Sequence, residues 1–252
     1  MKTLLFLTLI FLMSFHSNGQ TNYYSFNNDS LLTEKAVRQE FDKSITTLPS
    51  NYDVIPTIYH KIVKGDSIIN YITFYVGKSN SSINKHKFKF TFKQDSVFLF
   101  LNKKLPEFKL LDLKGKEFSS DKLIGKPTLL NYWAIYCGPC IAEMPELSGL
   151  KEKFGSEMNF IALTENTRKE DDLINFLEKH PFNYYILQNA EEYKKTLKIG
   201  AIPRNIFIDK DGYIRYIKGN FPYTKFDPSN GIREYDKNNY FVKIIEELIK
   251  KQ

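Results

Sequence analysis

The chain has 252 residues, 42% of them hydrophobic and 15% aromatic, enough apolar material for one large domain or two small ones. Its formal charge of +7 comes from lysines scattered along the chain, with no basic tract interleaved with aromatic residues, which argues against nucleic-acid binding. The only cysteines are Cys137 and Cys140, which excludes a disulfide framework that staples the fold.

Residues 1–19 carry Lys2, an apolar run over 4–15, and then Ser17, Asn18 and Gly19, the layout of a secretory signal peptide. The apolar run is about a dozen residues, whereas crossing a bilayer core of about 30 Å takes about 20, so cleavage is expected, with retention as an N-terminal membrane anchor as the alternative. Lipid attachment is excluded because no cysteine precedes Cys137. The mature protein is therefore expected to be soluble and periplasmic, or otherwise exported, with its formal charge reduced from +7 to +6 by loss of Lys2.

Leu31, Leu32, Ala36, Val37, Phe41 and Ile45 recur at helical spacing, with Asp29 or Ser30 as the cap. The pattern then turns to strands over 58–63, 68–76 beyond a turn at Gly65 and Asp66, 85–93, and 96–101. His86, Phe88, Phe90 and Phe92 alternate with lysines and Thr91, which predicts a strand with one buried aromatic face and one wet basic face. Packing explains that stripe; a docking face for a partner is the rival reading. His60 and His86 read as structural histidines. Residues 20–104 are expected to form a small α+β accessory domain of unknown role, preceding a second domain over 105–252.

In the second domain, short strands on either side of Gly115 precede a buried strand over 128–133. Helices over 139–154, 169–179 and 190–197 alternate with strands over 158–163 and 184–187, which predicts parallel strands joined by crossovers. Pro145 lies inside the first helix, where it removes a backbone hydrogen bond. A hairpin turn at 209–212 and a strand over 213–217 come next. Phe241, Ile244, Ile245, Leu248 and Ile249 mark an amphipathic C-terminal helix, and His180 sits at a helix end, where the dipole accounts for it.

The cysteines fall at the turn from the 128–133 strand into the helix. Unpaired amides and the positive end of the helix dipole there favour a thiolate, which makes Cys137 the expected nucleophile. Pro139 has its φ set for a first helical turn, and Gly138 admits a second chain; together they keep Cys140 within disulfide reach.

The stretch Trp133-Ala134-Ile135-Tyr136-Cys137-Gly138-Pro139-Cys140-Ile141-Ala142-Glu143-Met144-Pro145 resembles the active site of the periplasmic thioredoxin-like family that includes TlpA and ResA. The resemblance rests on Trp133, the Gly-Pro between the cysteines, and Glu143 and Pro145 at the family's C-x-x-E-x-P positions. It implies a central mixed sheet flanked by helices, with Asn131 where thioredoxin has a buried aspartate, and with Glu143, half buried, assisting proton movement. It also assigns Ile202-Pro203 to the family's cis-proline segment facing the cysteines, where Ile202 pairs with the substrate backbone and Pro203 keeps metal from the thiols. Trp133, Gly138 and Pro139 would line the substrate side.

The same resemblance implies a thiol-disulfide oxidoreductase with no cofactor, a disulfide-bearing protein as substrate and a membrane-linked thiol donor as its electron source. The Gly-Pro dipeptide resembles the reducing type, near about −270 mV, more than the oxidising type near about −120 mV. Residues 219–239 depart from the family and shape substrate access or form a longer surface loop. Zinc is disfavoured because two cysteines and scattered histidines do not complete a site. The remaining alternatives are a non-catalytic binding module and a thiol peroxidase, the latter lacking the usual threonine and proline around its cysteine.

Overall fold

The computed structural model describes residues 20–26, 30–46, 52–78, 87–226, 233–235 and 239–250. The expected signal segment, Asp29, His86 and residues 227–232 and 236–238 of the divergent stretch lie outside them. The chain divides into two compact units, 1–93 and 94–252.

In the first unit, β2 (Tyr52–Lys64) and β3 (Ser67–Lys78) form a long antiparallel hairpin, with Gly65 at a φ of 60° in its turn. β1 (Thr21–Ser25) joins β3 and β4 (Thr91–Phe92) joins β2, both in parallel, giving the order β1-β3-β2-β4. Helix α1 (Glu34–Thr46) starts later than its apolar spacing suggested, because the Thr33 hydroxyl caps the Ala36 amide at 3.3 Å. Leu32 instead exchanges two backbone hydrogen bonds with Tyr24. Val37 and Phe41 are the buried residues of α1, and Phe41 meets Phe74 and Phe88 edge-on. Truncating Phe41 would cost about 3–5 kcal/mol.

Of the strand expected over 85–93, the described residues 87–93 hold two strand residues, those of β4. Phe88 and Phe90 face inward, Phe90 stacking on Tyr24 with centroids 4.7 Å apart, but Phe92 is 57% exposed beneath the Lys61 ammonium. Residues 96–101, expected as a strand, instead hold a 3₁₀ helix (Ser96–Phe100) capped by Asp95, and they belong to the second unit. A short unbroken apolar run fits either element. The division accordingly lies ahead of residue 104, for backbone bonds of 2.7–2.9 Å join Asn102, Lys103 and Leu105 to Gly212 and Ile214.

The second unit is built on β5 (Lys109–Asp112), β6 (Glu117–Ser119), β7 (Thr128–Trp133), β8 (Asn159–Thr164), β9 (Tyr185–Gln188), β10 (Arg204–Ile208) and β11 (Ile214–Lys218). Their order is β11-β10-β7-β8-β9-β5-β6. β7, β8 and β9 run parallel, while β10 and β5 pair antiparallel with β7 and β9, so the sheet is mixed as in thioredoxin-like folds. Every residue of β7 is buried, including Asn131, whose side-chain amide finds partners inside.

Helices α2 (Gly138–Phe154), α3 (Leu173–Lys179), α4 (Glu191–Thr196) and α5 (Tyr240–Lys250) complete the unit. Asn239 caps α5 by accepting from the Phe241 amide at 2.8 Å, and Phe241 then lodges edge-on between Phe207 and Phe221. The stretch 219–239 contains a small hairpin, β12 (Tyr223–Phe226) and β13 (Arg233–Tyr235).

Candidate active site

β7 and β8 end in register, Trp133 opposite Thr164, so the residues just past β8 face the turn that leads to the cysteines. Asn166, buried and held by the Thr164 hydroxyl, accepts the Ile135 amide at 2.9 Å. Two residues on, the Cys137 amide donates to the Ala134 carbonyl at 3.0 Å. Cys137 is thereby the N-cap of α2, and its sulfur accepts the Cys140 amide at 3.3 Å. The two cysteines form a disulfide with an S–S distance of 1.98 Å and Cα atoms 5.2 Å apart. Cys137 is 7% exposed and Cys140 1%, so a partner reaches the first sulfur more readily. Gly138 and Pro139 are exposed, and a Cβ at 138 would meet nothing within 4 Å; bare backbone faces outward there.

β10 runs antiparallel to β7 with Arg204 opposite Tyr132, which brings Pro203 to the same end of the sheet as the cysteine turn. The Ile202-Pro203 bond is cis; Pro203 is buried and Ile202 half-buried against the core below the disulfide. Trp133, expected on the substrate side, is fully buried. It stacks on Phe176 and meets Phe182 edge-on, forming the floor under the cysteines, and so cannot touch a partner from there.

Glu143 corrects a second expectation. It is 2% exposed rather than half-buried. Its Oε1 accepts from the Asn131 side-chain amide at 3.0 Å and from that of Asn205 at 3.2 Å, and its Oε2 accepts the Phe221 amide at 2.6 Å. The buried Tyr184 phenol is pushed well above its ordinary range, first by burial and then by the Glu143 charge.

The exposed aromatic ring next to Cys137 belongs to Tyr136, at 67%. Its place directly before Cys137 is the sequence signal that points to this ring. Its hydroxyl donates to Glu165 Oε1, while Glu165 Oε2 pairs with Lys194 at 2.7 Å. Burial alone would raise the Glu165 carboxyl, but Lys194 and Tyr136 outweigh it and hold the group below its usual range. The same hydrogen bond, with a smaller part from burial, pushes the Tyr136 phenol up to about 12. Beside Pro203, Arg204 pairs with Asp95 at 2.8 Å. Among the described residues no group of three or more His, Cys, Asp or Glu is arranged to hold a metal ion.

A disulfide at the first turn of a helix that follows an interior strand of such a sheet defines a thioredoxin-like site. The family model described as AhpC/TSA matches residues 101–217. The thiol-disulfide oxidoreductase ResA of Bacillus thuringiensis subsp. konkukian strain 97-27 is 30% identical over 121 residues, which are 47% of this chain and 70% of that protein. ResA of Bacillus anthracis is 27% identical over 124 residues, covering 49% of this chain and 72% of its own. Among solved structures, the exposed lipoprotein thioredoxin of Streptococcus pneumoniae strain TIGR4 is matched over its full length, 100%, and over 57% of this chain, at 20% identity and a TM-score of 0.44. The chain belongs to the ResA family of thioredoxin-like thiol-disulfide oxidoreductases. Residues before 101 lie outside the family match.

Proposed function

We propose that this oxidoreductase works outside the cytoplasm and reduces disulfides in partner proteins through Cys137 and Cys140. The observation that carries this reading is the Cys140 amide donating to the Cys137 sulfur at the head of α2, since the same contact stabilises a thiolate once the pair is reduced. The Cys137 thiolate attacks one sulfur of the partner's disulfide, forming a mixed disulfide, and the partner's other sulfur leaves as a thiolate and takes a proton. Cys140 then loses its proton, with Glu143 as the acceptor. Its thiolate attacks the Cys137 sulfur, and the second partner thiolate departs. The partner gains two electrons and the pair becomes the disulfide of the structure, to be reduced again by a membrane-linked thiol donor.

The bare backbone at Gly138 and the half-buried Ile202 beside Pro203 suit an extended partner chain. Tyr136 takes the substrate-side place expected of Trp133. Export is supported by the character of residues 1–19, and among the described residues no helix is long and apolar enough to cross a membrane. Two measurements test the reading. In the reduced protein Cys137 should alkylate first at mildly acidic pH, and Cys140→Ala should accumulate mixed disulfides that Cys137→Ala does not. Prior labelling of Cys140, or turnover of peroxide in preference to protein disulfides, would overturn it.

A further inference from the structure

Asn205 stands on β10 two residues beyond Pro203, is fully buried, and was not singled out by its sequence context. Its side-chain NH₂ donates to Glu143 Oε1 at 3.2 Å and to the Gly219 carbonyl at 2.7 Å. Its Oδ1 accepts from the Asn131 amide at 2.9 Å, and the Asn131 amide's second donation goes to Glu143 at 3.0 Å. A primary amide has two hydrogens, and both amides spend both of theirs here. Turning Asn205 over would point its oxygen at Glu143 Oε1 and the Gly219 carbonyl. Turning Asn131 over would set its oxygen against Glu143 Oε1 and Asn205 Oδ1. Either flip opposes acceptor to acceptor, so the hydrogen-bond pattern allows one arrangement, and in it Glu143 meets N–H groups from β7, β10 and Phe221.

We propose that Asn205 is a positioning residue that holds the Glu143 carboxylate in its charged form and ties it to the strand that begins at Pro203. Donation to a carboxylate favours the ionised state, and a buried site magnifies that preference. Other ionisable groups face the same site. Tyr184 packs from the approach to β9, Lys218 lies cross-strand from Asn205 on β11 with its ammonium 5.0 Å above the Tyr240 ring, and the cysteines share α2 with Glu143. The proposal rests on Glu143 as the proton acceptor for Cys140, and its test separates the two claims.

Two variants remove the donor. Asn205→Leu deletes it, and Asn205→Thr leaves a single hydroxyl hydrogen, too few for Glu143 and Gly219 together, while suiting a strand. The Glu143 carboxyl is followed by ¹³C NMR titration of the oxidised full-length chain, and resolution of a preformed mixed disulfide is followed against pH. The titration midpoint is expected to rise by about one pH unit in either variant, a tenfold gain in proton affinity. The pH profile of resolution should move with it, and Asn205→Thr should cause no further movement in a Glu143→Gln background. An unmoved midpoint in a folded variant overturns the role of Asn205. A Glu143→Gln enzyme with the parent's pH profile overturns instead the proton-acceptor reading, whatever the titration reports.

Discussion

Glu143, three residues past Cys140 on α2, and Glu165, bonded to the Tyr136 hydroxyl next to Cys137, are two carboxylates that the fold treats differently. Glu143 is 2% exposed and receives N–H groups from two side-chain amides and one backbone amide. The Glu165 side chain keeps 18% of its surface open and meets an ammonium and a phenol. The first is stabilised by fixed dipoles that cannot follow it to the surface. The second is stabilised by a counter-ion on a flexible stem, in competition with water. Neutral donors in a buried site hold a charge without cancelling it, which keeps the carboxylate ionised at some cost in proton affinity, whereas an ion pair at the rim mainly fixes geometry, in this case the ring of Tyr136.

Stability should separate them most. Glu143→Leu strands three N–H donors in the core and should lower unfolding free energy by about 3 kcal/mol or more. Glu165→Leu breaks a partly exposed pair and should cost less than about 1 kcal/mol. Urea unfolding of the two variants checks this, and equal costs would break the comparison. In catalysis Glu143→Gln, which keeps shape but removes the acceptor, should slow disulfide exchange on the order of 10²-fold. Glu165→Gln should leave the chemical step unchanged and act on the partner's KM, a split visible in steady-state kinetics.

The sequence made one half of this contrast readable and hid the other. A CxxC between a mainly apolar strand and a helix with Ile141, Met144 and Leu147 at helical spacing declared its strand-to-helix turn, and the periodicity of 241–249 declared α5. The family resemblance led to an expectation of Glu143 half buried, and its nearly complete burial was not readable, because an acid three residues past Cys140 on a helix does not show its distant partners. One of those partners, Asn205, lies 62 residues away from it in the chain. Trp133 misled for a related reason. In a strand buried on both faces the pattern does not say which side chains look toward the surface, and the exposed ring was its neighbour across the turn, Tyr136. Residues 96–101 failed on length alone, five apolar residues being too few to tell a strand from a tight helix.

The smallest effect concerns pH. Because Lys194 and Tyr136 hold the Glu165 carboxyl below its ordinary value in the folded chain, the unfolded chain binds the proton first as pH falls. Its contribution to stability is therefore fully present above the unfolded value of about 4.3 and is lost as pH drops through the folded value. The parent should exceed Glu165→Gln in melting temperature by a small constant margin near neutrality, and the margin should close only in that acidic window. Lys194→Met should close it as well, since removing the ammonium takes away the main cause of the depression. Subtracting one variant from another cancels the other carboxylates of the chain, so a margin that persisted unchanged well below about pH 4.3 would mean that Glu165 gains nothing from its partners. In that case the orientation of Tyr136 would have to be set by packing alone.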